Sequence, residues 1–286
     1  MSAHPPSGAY TEKAPGRILA DPDQFATPLS ARLDGGTKLD RGVVGTVYPS
    51  AGELVGVGAL LMESRAPAGV TTLSRLRLVK SSPRAAASLA PVESTERAER
   101  RARGQIRRYA VTNGCTRLVT LTRADQTHDA QLVRRDFAAF ARRLRRARPG
   151  IRWVRVLERH ASGAIHVHVG LSGFVPKAQL AQLWGHGFVD VRKIRTRAGG
   201  GRESARQAAR YLSKYVGKDA VADPGEHRYE VRQGYQARSV TLHAWSWDEL
   251  VALATSLGYV SGEPTYVWSS ATDREWLGPP VTFAAY

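Results

Sequence analysis

The stretch A-I-H-V-H-V-G-L, residues 164–171, decides the fold. On a β-strand, residues two apart project from the same face. His166 and His168 therefore share one face, while Ile165, Val167, Val169 and Leu171 share the other and point into a core. Two imidazoles side by side on a rigid strand supply half a metal site. A half-polar strand with two surface histidines satisfies the same short pattern, so the flanking sequence has to decide between the two readings.

Immediately upstream, I-R-W-V-R-V-L-E (151–158) reads as a strand ending in Glu158. The short segment R-H-A-S-G joins it to the histidine strand, which predicts an antiparallel hairpin with Glu158 beside the histidines. A carboxylate with two imidazoles suits Mg²⁺ or Mn²⁺, with positions left for water and substrate. The plain alternative for Glu158 is a strand-end surface acid, and His160 reads as a loop residue. Before this hairpin, T-R-L-V-T-L-T (116–122) alternates as a strand, with Leu118, Thr120 and Thr122 on one side. A helix from about His128 to Arg148 carries the apolar stripe Val133, Phe137, Phe140 and Leu144, and Pro149-Gly150 stops it. An earlier helix, from Ser94 to the Asn113-Gly114 stop, is studded with arginines that face either solvent or phosphate.

Downstream, a helix is expected near Pro176–Trp184 and a strand at F-V-D-V-R-K-I-R, 188–195. A glycine-rich loop follows, but no G-x-x-x-x-G-K-[ST] occurs anywhere, which excludes an ATP-driven helicase. The helix E-S-A-R-Q-A-A-R-Y-L-S-K-Y-V-G-K (203–218) divides into three stripes at about 100° per residue. Ala205, Ala208, Ala209, Leu212 and Val216 form a buried face. Arg206, Arg210, Lys214 and Lys218 form a basic face. Tyr211 and Tyr215 lie on the boundary, one turn apart. Two phenols beside a row of cations suit serial attack on phosphodiesters, the lysines favouring the phenolate. Amphipathic tyrosines at the edge of a core are the structural alternative.

Composition points the same way. The chain has 286 residues, 42 Lys and Arg against 25 Asp and Glu, and a formal net charge of +17. An excess of this size marks a polyanion partner, chiefly nucleic acid. The single cysteine, Cys115, leaves no disulfide framework and no Cys-based zinc site, and fits a reducing cytoplasm. The start lacks a signal-peptide apolar run, and Leu54–Met62 is too short to span a bilayer, so no membrane partner is expected.

L-V-T-L-T, then E-R-H-A-S-G-A-I-H-V-H-V-G, then Y-L-S-K-Y-V-G-K stand in an order and at gaps that resemble the HUH endonucleases. Within these the chain is most similar to the rolling-circle replication initiators of small plasmids and single-stranded DNA phages. The resemblance covers roughly residues 96–220. It implies an α+β fold, an antiparallel sheet with helices on one face and the metal and single-stranded DNA on the other. It implies that His166, His168 and Glu158 hold a divalent metal, Mg²⁺ or Mn²⁺. Tyr215 would make the first cut through a 5′-phosphotyrosine intermediate, and Tyr211 would serve the second transesterification, with the reverse order left open. Lys214 and Lys218 would bind phosphate or depress a tyrosine pKa. Origin DNA, a host helicase and a host DNA polymerase are the implied partners.

The expected organisation is an N-terminal extension at 1–95, partly irregular with some strands, the nickase domain at 96–220, and a C-terminal extension at 221–286. In the last, Ser246-Trp247-Asp248-Glu249 reads as a capping box opening a helix to about Leu257. Two other readings stay open. One is an HUH transposase or relaxase, although relaxases carry three histidines and an N-terminal tyrosine, and Tyr10 lies in a featureless segment. The other is a non-catalytic nucleic-acid-binding module.

Overall fold

The computed structural model describes residues 31–33, 37–63, 76–78, 91–195, 200–216, 229–273, 276 and 280–286. In chain order the elements begin with β1 (Ala31–Leu33), β2 (Thr37–Tyr48), β3 (Glu53–Glu63) and β4 (Leu76–Leu78). There follow α1 (Pro91–Thr112), β5 (Arg117–Arg123), α2 (Ala130–Ala147), β6 (Trp153–Arg159), β7 (Ile165–Leu171), α3 (Lys177–Trp184), β8 (Gly187–Lys193) and α4 (Gly201–Ser213). The chain ends with β9 (Tyr229–Val231), β10 (Val240–Ala244), α5 (Trp247–Ser256), β11 (Tyr266–Ser269) and β12 (Val281–Ala285). These elements form two compact units, Ser81–Arg238 and a unit made of Met1–Lys80 with Ser239–Tyr286. No described helix is long and apolar enough to cross a membrane.

The Ser81–Arg238 unit is built on a five-stranded antiparallel sheet in the order β8-β5-β7-β6-β9. Strand alternation buries Val119, Leu121, Leu157, Ile165, Val167, Val169 and Leu171 on one face. The stripe Val133, Phe137, Phe140 and Leu144 of α2 lies against them, with Leu180 and Trp184 of α3. Each fully buried side chain of this size contributes about 1.5–3 kcal/mol. Asp129 starts α2 by accepting from the N–H groups of Gln131 and Leu132. Phe137 meets Trp153 edge-on at 5.0 Å, fixing α2 on β6.

The α+β class and the antiparallel sheet match the sequence expectation. The structure adds helices to the second face. Ile106, Tyr109 and Ala110 of α1 and Ala208, Ala209 and Leu212 of α4 pack with Leu118, Val154 and Val156. Gly170 makes this possible. A Cβ there would stand 3.0 Å from a methyl of Leu212, so the position without a side chain is where Leu212 of α4 seats. The rows of His168 and His166, further along β7, lie beyond that seat.

The other unit is a seven-stranded sheet on the path β1-β2-β3-β12-β11, with β10 on β2 and β4 on β3. Here strands from both sides of the Ser81–Arg238 segment in the sequence share one sheet: residues 240–244 pair with β2 and 281–285 with β3. Gly45 and Gly56 face each other in register, and Cβ atoms there would fall 2.3 Å from Leu250 and 2.9 Å from Trp247. That row seats α5. The helix opens as its sequence requires, with Ser246 accepting from the Glu249 N–H and the Glu249 carboxylate accepting from the Trp245 N–H. Trp247 is a core residue of this unit.

Candidate metal and nucleophile site

The site is assembled from neighbouring rows of the Ser81–Arg238 sheet. His166 pairs with Glu158 on β6 and with Thr122 on β5; His168 pairs with Val156 and Thr120. The hairpin expected from the sequence forms, and it places Glu158 directly across from His166. The donor atoms of Glu158, His166 and His168 all lie within 4.8 Å of one another. One carboxylate and two imidazoles of this spacing fit a divalent ion that accepts mixed nitrogen and oxygen donors.

His168 is held at both ring nitrogens. Its Nε2 lies 2.6 Å from the Glu158 carboxylate and its Nδ1 lies 3.2 Å from the Thr120 hydroxyl. Thr120 thereby fixes the ring orientation from behind, as outer partners of metal-binding histidines do. Burial pushes the pKa of His168 below its usual value and outweighs the opposing pull of Glu158. Burial also lowers His166, helped by His160. Both shifts favour the neutral ring, the form that donates to a metal. His160 stacks on His166 at 5.1 Å, a contact absent from the sequence reading, although it stays exposed in the β6–β7 loop.

Helix α4 begins at Gly201 and ends at Ser213, and Lys214–Val216 form a tighter 3-10 turn. The Lys214 N–H closes that turn on the Tyr211 carbonyl. The buried face is the one expected: Ala205, Ala208, Ala209, Leu212 and Val216 are all inaccessible. The turn lays the Tyr215 ring flat on His168, with centroids 4.0 Å apart and planes within 4°. Tyr211 meets the edge of His168 at 6.2 Å, and the two tyrosine rings are 5.5 Å apart. The structure thus brings both tyrosines to the His–Glu cluster.

The basic face departs from expectation. Arg206 is buried and lies 3.6 Å from Glu203, one turn back on the same helix. Arg210 remains exposed, and the Lys214 ammonium lies 5.7 Å from the Tyr211 ring. Lys218 lies outside the described residues. Among the described residues, burial is the largest influence on Tyr215. Burial pushes its pKa up, a hydrogen bond with Tyr211 adds to this, and the charges of Tyr211 and Glu158 act in the same sense, with Arg192 opposing.

Residues 116–220, a little over a third of the chain, match the family model described as replication-associated protein ORF2. That span contains Thr120, Glu158, His166, His168, Tyr211 and Tyr215. No curated protein and no solved structure gives a match.

Proposed function

We propose that this chain is a rolling-circle replication initiator that nicks and rejoins single-stranded origin DNA. The observation that carries the reading is the stack of Tyr215 on His168, which sets a candidate nucleophile against a candidate metal ligand. The family match of residues 116–220 supports a role in replication.

Glu158, His166 and His168 would hold Mg²⁺ or Mn²⁺, and the two imidazoles tilt the donor set toward Mn²⁺. When bound there, such an ion would polarise the scissile phosphate and stabilise charge in the transition state. The Tyr215 phenol oxygen attacks phosphorus, the bond from phosphorus to the 3′-oxygen breaks, and the phenol proton ends on that oxygen. The products are a 5′-phosphotyrosine and a free 3′-hydroxyl that primes a host polymerase behind a host helicase. Tyr211 serves the second transesterification, which rejoins the strand. Neutralising Glu158 removes one of the causes that keep the Tyr215 phenol protonated. Lys214 and Lys218 contact phosphate, and exposed arginines such as Arg101 of α1 and Arg142 and Arg145 of α2 add to the attraction for DNA.

The test is a covalent-adduct assay on single-stranded oligonucleotides tiled across the neighbouring DNA, with Mn²⁺ present. We expect an adduct on a denaturing gel that requires metal and is lost in Tyr215→Phe. Loss in Tyr211→Phe instead would reverse the order of the tyrosines. DNA binding with no adduct on any oligonucleotide, including the origin, would support a non-catalytic binding module.

A further inference from the structure

The rows of the metal cluster continue past β5 to the edge of the sheet. Thr122 pairs with His166 on one side and Phe188 on the other, and Thr120 pairs with His168 and Asp190. Alternation puts Phe188 and Asp190 on the face of the histidines, two strand spacings away, about 10 Å. Phe188 is 72% exposed, the largest value for any large hydrophobic side chain among the described residues. The strand beneath it is clamped. Gly187, at φ +149°, lies so close to β5 that a Cβ would stand 2.5 Å from the Thr122 carbonyl oxygen, and the His186 carbonyl accepts from the Ala124 N–H at 2.9 Å. A rigid strand, rather than a loose loop, therefore holds this ring in water.

A single exposed ring needs no explanation by itself. Here it borders a cleft of about 400 Å³ that runs from Thr120, Thr122 and Asp190 around the edge strand to Lys177 and Ala181 of α3. That volume falls in the range of small-ligand clefts, about 300–1,000 Å³. The Asp190 carboxylate is exposed and has no ion pair among the described residues. Beside a DNA path such a charge repels phosphate, and it favours binding only where a base edge offers N–H donors.

We infer that this cleft is a base-recognition pocket in which Phe188 stacks a nucleobase near the scissile phosphate and Asp190 reads its Watson–Crick edge. A carboxylate presents two acceptor oxygens side by side. Guanine, with its ring N–H and amino N–H adjacent, engages both, whereas adenine, cytosine and thymine engage one. The pocket therefore selects guanine. The inference rests on the nickase reading for what lies in the site, and extends it to which base is read.

The test is selection from a random single-stranded DNA pool with Mn²⁺ by wild type, Phe188→Ala and Asp190→Asn, with adduct formation measured in parallel. We expect wild type to enrich guanine at one position by about tenfold or more, the discrimination of a good bidentate contact. Asp190→Asn should abolish that enrichment while still binding DNA. Phe188→Ala should weaken binding of every sequence by about tenfold, as for loss of one stacked base. An unchanged guanine preference in Asp190→Asn, or none in wild type, would overturn the pocket. Guanine enrichment with no adduct would keep the pocket and sink the nickase reading; an adduct without base preference would do the reverse.

Discussion

The two sheets of this protein use the same device to different ends. In the unit containing the two chain ends, the facing pair Gly45 and Gly56 clears a row on which Leu250 and Trp247 of α5 sit. In the Ser81–Arg238 unit, Gly170 clears a row for Leu212 of α4, but the same strand then presents His168 and His166. Helix cover in the first case completes a core. In the second it stops short, and the tyrosines at the end of α4 are delivered against His168. The lesson is that a sheet face becomes a site beside the glycine that seats a helix, and that the helix seated there supplies the opposing group.

The comparison breaks most visibly at the histidines. His168→Ala removes a candidate metal donor and the surface on which Tyr215 stacks. Metal affinity should fall by more than the 10–100-fold typical of outer-shell losses, and adduct formation should disappear, read by calorimetry and by the denaturing gel. Filling the glycine rows should act on stability instead. Gly170→Leu and Gly56→Leu each force a side chain into an occupied space, and overpacking of this kind costs about 1–3 kcal/mol. Thermal melts should show both losses, and only Gly170→Leu should also disturb cutting, because only that row aligns the tyrosines. Equal effects on cutting would sever the link between helix seat and site. The smallest effect belongs to Thr120→Val, which keeps the volume and removes the oxygen that orients His168 Nδ1. About a tenfold loss of metal affinity is expected, with the melting temperature nearly unchanged.

Much of the Ser81–Arg238 unit was legible because its signals are local. The alternation around His166 fixed both faces of β7, the apolar period of α2 fixed its buried stripe, and the short segment after Glu158 fixed the hairpin that sets the cluster. The capping box at Ser246 was equally readable. The other sheet was less legible. Val240–Ala244 pairs with a strand nearly two hundred residues earlier, and no local pattern encodes that partner. β3 registered only as an apolar run, and β11 and β12 carried too short an alternation to stand out. At the site, helical spacing located Tyr211 and Tyr215 but could not report burial, which raises the Tyr215 pKa against the expected influence of the lysines. The same limit hid the burial of Arg206. Phe188 and Asp190 had one available signal, their shared alternation on β8, but their bearing on the site depends on the β5–β8 register.

The measurement closest to the central claim is a crystal structure with Mn²⁺, using anomalous scattering to place the ion. One peak ligated by Glu158, His166 and His168 is expected, with the Tyr215 phenol facing the ion. A peak on other residues, or an ion in place with Tyr215 turned away from it, would contradict it.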